Sequence, residues 1–117
     1  LVTHALPPEW LAALNEPCRL IIGPENPVGL VPELAEHLGE AEGLFTLLSV
    51  QVDEQLLAQA PSLRVVSNMA VGVDNIDLDA CTRRGIPVGN TPGVLTDATA
   101  DLTMALLLAA ARRLPEA

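Results

Sequence analysis

The 117-residue chain has no lysine, no tyrosine and only two aromatic residues, Trp10 and Phe45. Its six cations are all arginine and face fifteen carboxylates, for a formal net charge of −9 at pH 7. That balance argues against nucleic-acid binding, which needs a basic patch to neutralise phosphates. The acid is also unevenly spread: residues 1–60 carry nine carboxylates and Arg19 alone, whereas residues 61–117 carry six carboxylates and five arginines. With half the residues hydrophobic and almost none aromatic, the core must be aliphatic, and the chain is too apolar for disorder.

Long hydrophobic runs are missing too. The longest, residues 102–111, spans about ten residues and contains Thr103, whereas a spanning helix needs roughly 20, so no membrane partner is expected. No basic segment followed by an apolar stretch and a small-residue cleavage site opens the chain. Instead it starts at Leu1 in what reads as the middle of a strand, so the first strand is expected to be incomplete. Cys18 and Cys81 form no C-x-x-C pattern and read as buried, reduced thiols of a cytoplasmic protein. Metal-ligand spacings are absent, as are Gly-x-Gly-x-x-Gly, a Walker loop and a G-x-S-x-G elbow, so neither a metal site nor a nucleotide site of the chain's own is expected.

What is present is an alternation of short apolar runs with helical patterns, the signature of a parallel sheet covered by helices. Strands are expected at residues 1–4, 19–22, 44–48, 63–67 and 86–89. Pro7 and Pro8 open a helix whose apolar face is Trp10, Leu11 and Leu14. Further helices are expected over residues 32–38, with Leu34 and Leu38 four apart, over 53–60, and from Asp77, its cap, to Arg83-Arg84-Gly85. Five strands in about 90 residues fit a doubly wound parallel sheet of order 2-1-3-4-5. The last helix, residues 97–113 with Thr96 or Asp97 as N-cap, is apolar nearly all round. Such a helix must be buried on every side, and one small sheet cannot do that, so it expects a further partner.

Ligands of open α/β sheets bind beyond the carboxyl ends of the strands. The richest loop there is Asn68-Met69-Ala70-Val71-Gly72-Val73-Asp74-Asn75. Gly72 permits close backbone approach, and the successive N–H groups at Ala70 to Val73 can form an anion-holding nest. The same run can equally be a plain strand-to-helix turn in which Asp74 bonds backbone amides. His37, among Glu33, Glu36 and Glu40, reads as a solvated helix face, and His4 as a lone residue at the cleft edge. Asp77-Leu78-Asp79 reads as a cap with a favourable dipole contact. A phosphoacceptor receiver is excluded, because the third strand ends Thr46-Leu47-Leu48 and lysine is absent. A flavin site is excluded because His4-Ala5-Leu6-Pro7-Pro8 offers neither hydroxyls with glycines nor rings.

Residues 63–77, Leu-Arg-Val-Val-Ser-Asn-Met-Ala-Val-Gly-Val-Asp-Asn-Ile-Asp, together with Arg84-Gly85-Ile86-Pro87-Val88-Gly89-Asn90-Thr91-Pro92, resemble the signature of D-2-hydroxyacid dehydrogenases. The run from Gly93 to Asp101 and the ending Arg112-Arg113-Leu114-Pro115-Glu116-Ala117 look most like the glyoxylate/hydroxypyruvate reductase branch. The likeness is loose over residues 1–43 and tight from Leu44 onward. It implies a flavodoxin-like substrate-binding domain over residues 1–96. An inter-domain helix over 97–117 would lead to a Rossmann domain that binds NADPH or NADH and lies outside this chain. The resemblance places the backbone clamp for the substrate carboxylate at Val71 and Gly72, with Met69 and Ala70 beside it and Leu48 lining the pocket. Serine is also usual at the position of Ala70, so a hydroxyl contact is lost there. Thr99 falls where the family meets the nicotinamide side of the cofactor. The family's catalytic Arg, Glu and His have no counterpart in these residues.

Two expectations follow from the resemblance and the apolar last helix. The chain is the substrate-binding portion of an NAD(P)H-dependent reductase of small 2-oxo acids, inactive by itself, and it associates as a homodimer or a domain-swapped oligomer. The alternative is a stand-alone, non-enzymatic module of the same fold that binds a small anion or a protein partner.

Overall fold

The computed structural model describes residues 1–116. Three regular strands, β1 (Gly43–Thr46), β2 (Val65–Asn68) and β3 (Val88–Gly89), pair in the order β1-β2-β3, all parallel. Leu44 lies opposite Val66, and Val66 opposite Val88. With side chains alternating along each strand, Leu44 and Thr46 share one face with Val66 and Asn68. All four are buried, so this face is apolar at its middle and polar at its carboxyl edge.

Parallel neighbours need a crossover, and short helices supply it. Helix α3 (Glu54–Gln59) joins β1 to β2, and α4 (Leu78–Arg83) joins β2 to β3. Each starts at a capping aspartate: Asp53 Oδ1 accepts from the Leu56 N–H at 2.9 Å, and Asp77 Oδ1 from the Ala80 N–H at 2.8 Å. Leu56 and Leu57 of α3, with Ala80 and Cys81 of α4, close over Leu44 and Val66 in one cluster that also holds Val50, Val52 and Ile86. Gly85 takes the left-handed conformation that ends α4, at φ 67°.

The first two expected strands are not regular strands. Val2 makes single parallel bridges to Ile22 on one side and Phe45 on the other. The bonds are short: Val2 N–H to Ile21 O at 2.9 Å, Gly23 N–H to Val2 O at 2.8 Å and Thr3 N–H to Phe45 O at 2.9 Å. Backbones approach so closely that a Cβ on Gly23 would lie 2.3 Å from the Thr3 carbonyl oxygen. One more bond follows, from the Ala5 N–H to the Pro24 carbonyl at 3.0 Å, and no regular ladder forms beyond it.

Other boundaries also move. β1 stops at Thr46, so Leu47 and Leu48 leave the sheet instead of closing the expected strand. The helix expected over residues 32–38 divides into α2 (Pro32–Ala35) and a 3-10 turn (Leu38–Glu40), because Leu34 and Leu38 are each drawn into the interior separately. In α1 (Pro8–Asn15) only Leu11 is buried, and Trp10 stays 62% exposed, as that helix meets the body along a narrow line. Cys18 is exposed, contrary to the buried thiol expected: it falls in the turn after α1, where its N–H caps the Leu14 carbonyl. Cys81 is buried. The last helix, α5 (Thr96–Ala111), begins after Leu95 with no side-chain cap, so neither Thr96 nor Asp97 serves as N-cap. No residue of α5 is buried.

Candidate functional site

Three loops leave the carboxyl edge of the sheet side by side. One follows Thr3, one follows β1 at residues 47–50, and one follows β2 at residues 69–75. Two buried asparagines join the last two. Asn75 Nδ2 donates to the carbonyls of Val50 at 3.0 Å and Leu47 at 3.2 Å, and Asn68 Nδ2 donates to the Gly72 carbonyl at 2.9 Å and to Asn75 Oδ1 at 3.2 Å. A buried amide left unpaired is costly, so this set is worth most when every member is satisfied. It is: among the described residues no buried side-chain nitrogen or oxygen lacks a partner. The turn carrying Leu48 is thereby tied to the loop carrying Gly72.

The backbone of that second loop is partly used and partly free. Met69 N–H donates to Thr46 O and Ala70 N–H to Asn68 O, each at 2.8 Å. Thr91 N–H reaches the Ala70 carbonyl at 2.9 Å, and Asn90 Nδ2 holds the Val71 carbonyl at 2.8 Å. By contrast, no acceptor among the described residues takes the N–H of Val71, Gly72 or Val73. Of the expected nest, Ala70 is therefore already engaged and the three following N–H groups remain. A Cβ on Gly72 would come 3.2 Å from Asp74 Oδ2, tighter than most such contacts.

Of the residues singled out in the sequence, Leu48 stands 54% exposed on its turn and Val71 44% exposed on its loop. Met69 and Ala70 are half-buried. Thr99 lies one turn into α5, and a groove of about 600 Å³ lined by Val71, Leu95, Thr96, Thr99, Ala100, Thr103 and Met104 brings it beside the loop. The structure thus gathers Val71 and Thr99 on one groove and ties the Leu48 turn to Gly72 through the asparagines. Sequence reasoning missed that asparagine pair, although both residues stood in the loop it chose.

His4 is not alone. Its Nδ1 lies 2.7 Å from Thr3 Oγ1 and its Nε2 lies 3.0 Å from Ser49 Oγ. Partial burial holds its pKa below the ordinary histidine value, so the ring is neutral near pH 7. His37 pairs with Glu40 at 2.9 Å, and Arg19 reaches the same carboxylate at 2.6 Å. The His37 hydrogen bond, then the Arg19 charge, hold the Glu40 carboxyl below its usual range. That group is exposed and precedes β1, whereas the loops follow the strands. Among the described residues no three His, Cys, Asp or Glu side chains are placed to share a metal ion, and no helix is long and apolar enough to cross a membrane.

The architecture defines a class before it defines a family: a parallel α/β domain with unpaired backbone N–H groups in a loop at the carboxyl edge of its sheet, where open α/β sheets bind their ligands. The chain belongs to the D-isomer specific 2-hydroxyacid dehydrogenases, whose catalytic-domain pattern matches residues 1–112. It is 63% identical over 116 residues to the glyoxylate reductase of Aeropyrum pernix, covering 99% of this chain and 35% of that protein. It is 47% identical over 119 residues to a glyoxylate reductase/hydroxypyruvate reductase of Mus musculus, covering 99% of this chain and 36% of that one. Among solved structures, a Thermus thermophilus protein superposes with a TM-score of 0.85 at 41% identity, over 98% of this chain and 37% of its own. A D-lactate dehydrogenase from Aquifex aeolicus, solved with NAD and lactic acid, gives a TM-score of 0.72 at 29% identity, over 87% of this chain and 29% of its own. The chain thus spans about a third of the length of the curated relatives it matches.

Proposed function

We propose that this chain is the substrate-binding part of an NAD(P)H-dependent reductase of small 2-oxo acids, of the glyoxylate and hydroxypyruvate type. The observation that carries the reading is the free N–H run at Val71, Gly72 and Val73, on a domain of net charge −9 with no lysine to offer a carboxylate. Backbone dipoles are then the local means of holding an anionic substrate. Leu48, on the turn tied to that loop, supplies the apolar wall, with Met69 and Ala70 beside the clamp. Charge-assisted hydrogen bonds from fixed N–H groups position the acid, and the loop's bonds to Asn68 and Asn90 keep those groups aimed.

Bound nicotinamide supplies a hydride to the carbonyl carbon of such an acid. Thr99, beside Val71 on the groove, fits the nicotinamide edge of that cofactor. The 117 residues contain no glycine-rich loop for a pyrophosphate, so the rest of a dinucleotide, NADH or NADPH, has to be held elsewhere. We assign that task to a Rossmann domain packed on α5, of the kind the other two thirds of the relatives' length would hold. The bridges at Val2 support completing the sheet in the order 2-1-3-4-5, flavodoxin-like, with residues 1–96 as one domain and 97–117 as the inter-domain segment. Without such a covering domain, α5 is free to pair with its copy in a dimer or swapped oligomer. The proposed compartment is the cytoplasm.

The test is Gly72→Val in the full-length protein, with glyoxylate as varied substrate. Losing one or two hydrogen bonds to a carboxylate should raise KM by about 10- to 100-fold. KM for the dinucleotide should stay where it was. A folded variant with unchanged KM for glyoxylate would overturn the assignment of the clamp.

A further inference from the structure

A chain of three polar side chains leads from the interior to the site, and nothing in the proposed binding chemistry uses it. Thr3 is 1% exposed, His4 half-buried and Ser49 exposed, and their side chains join in that order at 2.7 Å and 3.0 Å. The neighbours are set by the backbone: Thr3 N–H donates to Phe45 O, which keeps residues 1–4 alongside β1 and brings His4 up to the turn after it. That turn also carries Leu48, and Asn75 fastens it to the Gly72 loop. Ser49 Oγ therefore stands on a fixed support one residue from the apolar wall and linked to the free N–H groups.

The chemistry of this chain is unusual in having two equivalent settings. A neutral imidazole has one N–H and one lone pair, and both of its neighbours are hydroxyls that donate or accept. With the proton on Nδ1, Thr3 accepts and Ser49 donates to Nε2, leaving the Ser49 lone pairs free. With the proton on Nε2, Ser49 accepts and its own O–H is free to donate. Ser49 thus meets a ligand hydroxyl in either sense, while an aliphatic group in the same place leaves it unmatched.

Resting on the substrate reading above, we propose that Thr3, His4 and Ser49 form a specificity-determining element. With the acid's carboxylate on the Val71–Gly72 N–H groups, Ser49 Oγ hydrogen-bonds a hydroxyl on C3 of the substrate. A 2-oxo acid bearing that hydroxyl, as hydroxypyruvate does, is favoured over glyoxylate, which has no C3. His4 is a positioning residue that holds the Ser49 hydroxyl in place, and Thr3 holds His4.

The experiment compares kcat/KM for hydroxypyruvate with that for glyoxylate in the full-length protein, for the wild type and three variants. Ser49→Ala should lower the hydroxypyruvate-to-glyoxylate ratio by about tenfold or more, chiefly through KM for hydroxypyruvate. His4→Phe should move it the same way by less, and His4→Gln, which keeps a polar atom near Nε2, should restore part of the ratio. An unchanged ratio in Ser49→Ala, or an equal loss for both acids, overturns the proposal. Should His4→Phe fail to fold, the exposed Ser49→Ala still decides. If Gly72→Val raises KM for glyoxylate while Ser49→Ala leaves the ratio alone, the clamp stands and only this inference falls. A wild type that reduces neither acid removes both.

Discussion

Helices α3 and α5 draw on similar side chains and end in opposite situations. α3 has six residues, two of them leucines buried to 6% and 0% exposure. α5 has sixteen residues, and Leu102, Leu106, Leu107 and Leu108 all stand about 60% exposed. The difference lies in arrangement. In α3 the leucines are adjacent and the rest, Glu54, Gln55, Ala58 and Gln59, is polar or small, so one side meets the sheet and the other meets water. In α5 the leucines surround the axis, and no single neighbour covers them. Apolar content alone therefore does not bury a helix; it needs a surface at the right angle, which β1 and β2 offer to α3.

Truncating one leucine in each helix would break this contrast most severely. In the 117-residue chain, Leu57→Ala should cost about 2–5 kcal/mol, the loss of transfer energy plus the cavity left among Leu44, Val66 and Cys81. In the monomer, at low protein concentration, Leu106→Ala should change stability by no more than about 0.5 kcal/mol, since its contacts there are with solvent. Urea denaturation of both variants measures the pair. Comparable losses would mean that α5 is packed after all, by a second copy of the chain, and the loss at Leu106 should then depend on protein concentration.

The same contrast explains what the sequence shows and what it hides. The Asp77 cap and the left-handed glycine after α4 follow from local rules, and local rules are readable along the chain. Parallel order is legible from alternation of strand and helix. The strand ends are less so: Leu47 and Leu48 look like a continuation of β1, but the Leu47 carbonyl is held by Asn75, 28 residues away. Trp10 was expected inward on helical spacing, yet spacing states only which residues share a face, not how wide the neighbouring surface is. The Val71–Gly72 loop was visible because glycine and a strand end coincide there. The Thr3–His4–Ser49 chain was not, since 45 residues separate His4 from Ser49 and only the pairing of residues 1–4 beside β1 joins them.

Caps sharpen the comparison at a smaller scale. Asp77 holds the Ala80 N–H at the start of α4, whereas α5 starts at Leu95 without a side-chain acceptor, and Asp97 sits inside its first turn. Asp77→Ala should cost about 1 kcal/mol. Asp97→Ala removes only a screened dipole contact and should cost less, about 0.3 kcal/mol. Thermal unfolding of the two variants under one buffer gives the ordering. Equal costs would show that Asp97 makes a capping bond in solution.

The smallest effect concerns charge. α3 is tied to the end of α4 by Glu54, whose carboxylate meets Arg84 at 2.5 Å and Arg83 at 3.0 Å, while the ion pair beyond α5, Arg113 with Glu116, links residues three apart. The Arg84 hydrogen bond, then the Arg84 charge and the Arg83 contacts, hold the Glu54 carboxyl below the ordinary glutamate value. A carboxyl whose pKa is lower folded than unfolded stabilises the fold fully above its unfolded pKa, and that support is lost as pH falls through the folded value. Glu54→Gln should therefore lower Tm slightly at neutral pH, and the gap to wild type should close as the pH falls below the ordinary glutamate range. Since the pair is exposed, added salt should narrow the gap at neutral pH as well. A gap that persists in acid would assign the effect to side-chain packing at the α3–α4 contact and not to the ion pairs.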